Sequence, residues 1–225
     1  MKKIVLTLCT MFLISSIGFG QKKEMPQVNL DNLLNETQFT NDNTTDLEMI
    51  WWMPSEYWEA VFSREKYMSP EEAKMIIDTL KEYVLVIVVK GKVGMFGGIT
   101  YESREDILKS FNVYYNGSAL KYMKDDSLDP DLKNFITIIG PMMKNMIGQM
   151  GENMQIFTYK NDKKTPINVY GKGNLSFELS EYKANADLPL ASLIMEKQCP
   201  EDKKLFNGKW SYCPIHGKEL TKQGN

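Results

Sequence analysis

Histidine is all but missing from this chain: it occurs once, at His216. A nucleophile activated by an imidazole base therefore has no candidate base outside one short C-terminal stretch, and no Gly-x-Ser-x-Gly elbow is present. Cysteine is almost as scarce, with Cys9, Cys199 and Cys213 only. The glycines from Gly91 to Gly98 lack the terminal Gly-Lys-Ser/Thr of a phosphate loop. There is no basic excess either, since 27 Lys and Arg stand against 29 Asp and Glu. That balance argues against a nucleic-acid partner and against strong binding to anionic lipid. Carboxylates are plentiful, yet nothing in their spacing pairs any two for acid/base work.

Long apolar runs are missing as well, except at the start. Met1-Lys2-Lys3 precedes an apolar stretch from Ile4 to Ile17, then Gly18-Phe19-Gly20 and the polar Gln21-Lys22-Lys23. A charged start, a short apolar core and small residues at −3 and −1 read as a secretory signal peptide over 1–20, cleaved after Gly20. A spanning helix needs about 20 predominantly apolar residues, and this run is shorter and broken by hydroxyls. Cys9 lies inside the apolar core, so it does not mark a lipoprotein site. The expectation is an exported protein, periplasmic or secreted, with no transmembrane segment in the mature chain. Cleavage removes Cys9, Lys2 and Lys3, which leaves Cys199 and Cys213 as the only cysteines and makes the chain more acidic.

Residues 21–48 are rich in Asn, Asp, Thr and Gln and sparse in apolar side chains, the composition of a polar flexible arm. An α+β domain is expected over 49–195. Within it, Ser55 to Phe62 reads as a helix, and Ser69-Pro70-Glu71-Glu72 starts another with a capping box. Tyr83 to Val89 is β-branched and continuous, a strand buried on both faces. Lys90-Gly91-Lys92 predicts a turn into a glycine-weakened strand ending at Tyr101. Ser103 and Asp106 cap a short helix, and Asn116-Gly117 predicts a type I′ hairpin turn. Asp129-Pro130 opens a long helix broken or kinked at Gly140-Pro141 and ending by Gly151. Strands follow at 154–160, 167–170 and 175–182, so the class is α+β, an antiparallel sheet or sandwich with inserted helices.

Met142, Met146, Met150 and Met154 recur every four residues, with Met143 beside them. Thioethers bind Cu(I), and the same spacing is that of a buried helix face. Trp51, Trp52, Tyr57, Trp58 and Phe62 make either an exposed platform or a core cluster.

The C-terminal stretch 196–225 holds the sharpest chemistry. Cys199-Pro200-Glu201-Asp202 and Cys213-Pro214-Ile215-His216 place a potential ligand three residues after each cysteine. Asn207-Gly208, between Leu205-Phe206 and Trp210-Tyr212, predicts a hairpin joining them. Residues 199–220 resemble the paired knuckles of a zinc ribbon, where a tight turn lets a cysteine and a later ligand grip one metal. The resemblance implies a structural Zn²⁺ on Cys199, Asp202, Cys213 and His216, with Asp202 standing where Cys or His is usual. A Cys199–Cys213 disulfide is the competing reading, since export favours it and closing a loop of about 15 residues is worth roughly 3 kcal/mol. The placement of the sole histidine is explained only by the metal.

The combined expectation is an exported, non-enzymatic binding or envelope-associated protein whose C-terminus is stabilised by a structural metal. The alternatives are an extracytoplasmic hydrolase using paired carboxylates or an open zinc site, and copper handling by the methionine-rich helix.

Overall fold

A computed structural model describes residues 28–41, 43–65 and 68–222. The signal peptide expected over 1–20, with its expected cleavage after Gly20, and residues 21–27 lie outside the described residues. The chain is α+β, with antiparallel sheets throughout. It opens with α1 (Leu30–Thr37), β1 (Gln38–Thr40), β2 (Asp46–Met53), α2 (Ser55–Phe62), α3 (Pro70–Leu80), β3 (Tyr83–Val93) and β4 (Ile99–Tyr101). It continues through α4 (Arg104–Ser110), β5 (Phe111–Tyr115), β6 (Ser118–Ala119), β7 (Tyr122–Met123), α5 (Pro130–Ile147) and α6 (Gln149–Glu152). The last elements are β8 (Gln155–Lys160), β9 (Gly173–Leu179), β10 (Tyr182–Leu188), β11 (Lys197–Gln198), β12 (Leu205–Phe206) and β13 (Thr221–Lys222).

The central sheet runs β1-β2-β3-β8-β7, with β4 also on β3. A second sheet runs β10-β9-β5-β6. Alternation along the strands decides how they stack. Val84, Val86 and Val88 of β3 and Ile50 and Trp52 of β2 point into a core shared with Phe111, Val113, Leu175, Phe177 and Leu179 of the second sheet. Leu85, Ile87 and Val89, with Met49, Trp51 and Met53, point the other way, against Trp58, Ile77, Leu132, Phe135 and Met143 of the helices. The domain is therefore three layers: sheet, sheet, helices. The middle sheet is buried on both faces, which is why Tyr83 to Val89 carries no polar alternation.

α3 begins as its sequence dictates. Ser69 accepts from the Glu72 N–H, and the Glu72 carboxylate accepts from the Ser69 N–H. Ser69→Ala should cost about 1 kcal/mol, measured by chemical denaturation, because the Glu72 N–H loses its side-chain acceptor. At the far end of the helix, Glu82 pairs with Lys163 at 2.7 Å and Lys160 at 2.9 Å. Hydrogen bonds from Lys163 first, then Lys160, hold its carboxyl down at about 2. A depressed carboxyl contributes stability above its unfolded-state value of 4.5 and loses it as the pH falls toward about 2. Wild type should thus exceed Glu82→Gln in stability at neutral pH and low salt, with the margin closing through acid. The margin is small, because the Glu82 side chain is 40% exposed and solvent screens the pairs.

Five sequence expectations are corrected. α5 is not broken at Gly140-Pro141 but runs as one helix from Pro130 to Ile147 with Pro141 inside it. The polar arm is not an arm from Val28 onward: Asn29 caps α1, which buries Leu33 and Thr37. The Glu36 carboxylate accepts from the Ala191 and Ser192 N–H groups at 2.7 and 2.8 Å, fastening α1 to the segment before the C-terminal sheet. β3 passes straight through Gly91, and the chain turns at Gly94–Gly98 instead, where Gly97 has φ of 81°. Gly91 is there for a close approach, since a Cβ would sit 2.9 Å from the Thr100 carbonyl oxygen. Residues 167–170 form no strand, because Asn161 and Asn168 side chains take up the Ile167 and Tyr170 N–H groups. β9 ends at Leu179 and a separate strand, β10, follows. The hairpin at Asn116-Gly117 forms as expected, with φ of 49° and 79°.

Candidate metal centre

β11 is the centre of the third sheet, paired with β12 on one side and β13 on the other. The Asn207-Gly208 turn exists, but it does not pair 205–206 with 210–212. Each Cys-Pro segment is instead a tight hairpin of its own. The Cys199 N–H donates to the Lys204 carbonyl at 2.9 Å, and the Lys203 N–H returns to the Cys199 carbonyl at 3.0 Å. The Cys213 N–H donates to Lys218 at 2.7 Å, and the Gly217 N–H returns to Cys213 at 2.9 Å. Both turns close with a left-handed residue at the fifth position, Lys203 at φ 62° and Gly217 at 63°.

The two segments match position for position. Cys199, Pro200, Asp202, Lys203 and Lys204 correspond to Cys213, Pro214, His216, Gly217 and Lys218. Asp202 and His216 occupy equivalent places, and the turns deliver both toward the sulfurs. His216 Nδ1 lies 3.5 Å from the Cys199 sulfur and 3.6 Å from the Cys213 sulfur. The donor atoms of Cys199, Cys213 and His216 all fall within 4.8 Å of one another, so these three could hold a metal ion. Asp202 Oδ2 lies 3.9 Å from His216 Nδ1, beside that cluster.

The sulfurs are not joined to each other. They are buried together with Leu220, and Phe206 packs against them. Asp202 and His216 are about a quarter exposed, so the cluster is closed on its sulfur side and open on its carboxylate side. Burial pushes the Cys199 thiol up despite backbone N–H donation from Asp202 and Glu201. Burial also acts on Cys213, but the N–H groups of His216 and Ile215 and the neighbouring Cys199 outweigh it and bring that thiol down. One contact of this kind runs from the His216 N–H to the Cys213 sulfur at 3.4 Å. Backbone donors aimed at sulfur favour the thiolate, which is the metal-binding form. Asp202 follows the same logic: burial raises it, and the Lys204 N–H, Cys199 and His216 together lower it.

No family model, curated protein or solved structure matches this chain. The site therefore has to be judged on its own geometry.

Sequence inspection identified the four candidate ligands but not the matching turn-closing residue Lys203, nor Leu220 and Phe206 over the sulfurs. The Cys-Pro-x-x-x-Lys repeat at 199–204 and 213–218 was the signal that could have found the first. Gly208 has a packing role: a Cβ there would collide with the Met195 carbonyl oxygen. A cleft of about 610 Å³ runs between α1, residues 191–196 and this turn, and none of the four candidate ligands lines it.

The other candidate features are largely core. Trp51, Trp52 and Trp58 are buried, so they form no exposed platform. Met142 is exposed while Met143 and Met154 are buried, and the helix is interrupted at Gly148, where φ is 63°. The Met146 side chain lies outside the described residues.

Proposed function

We propose that this chain is an exported, non-enzymatic binding or envelope-associated protein whose C-terminal sheet is closed by a structural Zn²⁺. Cys199, Cys213 and His216 would be its ligands, with Asp202 as the fourth. The observation that carries the reading is the pair of matching turns with His216 between the two sulfurs. A tetrahedral zinc with ordinary bond lengths sets sulfur and nitrogen about 3.5 Å apart. The two separations of 3.5 and 3.6 Å have that length before any ion is added. The carboxylate-to-imidazole separation of 3.9 Å is longer than the corresponding edge of about 3.4 Å. Asp202 is accordingly the weakest of the four. The ion's contribution would be cohesion: it would tie the turn after β11 to the turn before β13.

The greater distance of Asp202, and its exposure, also favour a second reading. Three protein ligands with a water in the fourth position make an open zinc, and Asp202 would then serve as a base for hydrolysis. Asp202→Ala separates the two. For a structural ion, zinc affinity falls by about tenfold or more, thermal stability falls with it, and no hydrolytic activity exists to lose. Ester or peptide hydrolysis by wild type that disappears in this variant while zinc stays bound would replace the structural reading with the catalytic one.

A further inference from the structure

We propose that the main domain binds a small zwitterion, a free amino acid, in the cavity between the start of α2, the end of α3 and the loop 161–169. The inference rests on the reading of this domain as a binding module and is independent of the metal. The cavity measures about 250 Å³ and is lined by Trp52, Glu56, Lys81, Tyr83, Ile167 and Val169, among others. That is below the range of about 300–1,000 Å³ typical of pockets for drug-sized ligands, so the occupant is smaller than those.

The cavity's wall is built rather than incidental. Asn161 donates through Nδ2 to the Lys81 carbonyl at 2.9 Å and accepts through Oδ1 from the Ile167 N–H at 3.0 Å. One side chain thus fixes the end of α3 to the loop that closes the opposite side. Its own N–H donates to the Glu82 carbonyl at 2.9 Å.

Glu56 and Lys81 both contribute to the lining, and no ion pair joins them. Glu56 has no ion pair among the described residues; Ser55 Oγ donates to its Oε2 at 3.1 Å. Burial and, to a lesser degree, the neighbouring Glu59 charge push its carboxyl up, while its own N–H, then Ser55, and least of all Lys81 act in the opposite direction. Lys81 has one ion partner among the described residues, Asp78 at 3.7 Å, in an exposed pair that is easily given up. A carboxylate short of a counter-charge, an ammonium with a loose partner and apolar residues in the same lining match a ligand with one ammonium, one carboxylate and a short apolar group. Glu56 would take the ammonium, Lys81 the carboxylate, and Trp52, Ile167 and Val169 the side chain.

Calorimetric titration of the full chain with L-alanine, L-leucine and L-phenylalanine tests this directly. At least one should bind one to one. For the best binder, the matching amine without the carboxylate and the matching acid without the amine should each bind about tenfold or more weakly, as expected for loss of a charge-assisted contact. Those comparisons use wild type and do not depend on any variant folding. Glu56→Gln should weaken the amino acid and the amine by about tenfold or more, and Lys81→Met should weaken the amino acid and leave the amine unchanged. If none of the three amino acids binds, or if the best binder is unaffected by both substitutions, the assignment is overturned. Neither result would bear on zinc content, so failure here and failure of the metal reading are told apart.

Discussion

Replacing Cys213 with serine should abolish the proposed metal binding and melt residues 197–222, while the three-layer domain should continue to unfold at its own midpoint. The third sheet consists of three strands of two residues each, and its own buried cluster is Cys199, Cys213 and Leu220 with Phe206 against them. A unit so short buries too little apolar surface to stand alone, and segments below about 40 residues usually need a metal or a disulfide. Structural zinc supplies roughly 10–16 kcal/mol to small metal-bound units at neutral pH, far more than this cluster can provide. Hydrogen exchange should show protection of the Cys199, Cys213 and Leu220 amides lost in the variant and retained for Val84 to Val89. A strong chelator applied to wild type should give the same pattern. Loss of protection in Cys213→Ser without any effect of the chelator would mean that the sulfurs act as a disulfide.

The second large effect lies in the helical layer. Trp58 is 1% exposed, and its ring meets those of Tyr57 at 5.3 Å, Phe62 at 6.1 Å and Phe135 at 4.9 Å. With Phe62, whose ring lies 6.3 Å from that of Phe135, it packs α2 against α5 above the middle sheet. Trp58→Ala leaves a cavity that these rings cannot fill, so it should cost about 3–5 kcal/mol in chemical denaturation. Trp58→Phe should cost clearly less. Its ring keeps part of the aromatic packing, and it removes an indole N–H that is buried without a partner among the described residues. A loss below about 1 kcal/mol for the alanine variant would contradict this packing of α2 and α5 against the sheet.

The elements that could be read in advance are those whose local chemistry is self-contained. The Ser69–Glu72 box, Pro130 behind Asp129 and the Asn116-Gly117 turn each specify their own geometry within four residues. The Tyr83 to Val89 run announces a strand with two buried faces, and from it the sandwich follows. β10 was hidden because its inward residues are Ala184, Ala186 and Leu188, too small in sum to signal a core strand. α1 was hidden for a related reason: a single fully buried leucine, Leu33, and the Glu36 contact to residues 191–192 anchor it, and such contacts are invisible locally. At the candidate metal site, the residue types and their spacing were legible. The strand pairing was not, since strands of two residues carry no periodicity, and the register of β11 depends on β13 some twenty residues away.

Zinc and thiol content, measured together on protein recovered from its natural compartment, test the central claim most directly. The account predicts one Zn²⁺ per chain, with Cys199 and Cys213 both titrating as free thiols once the ion is removed under denaturing conditions. No metal and no free thiol would contradict it.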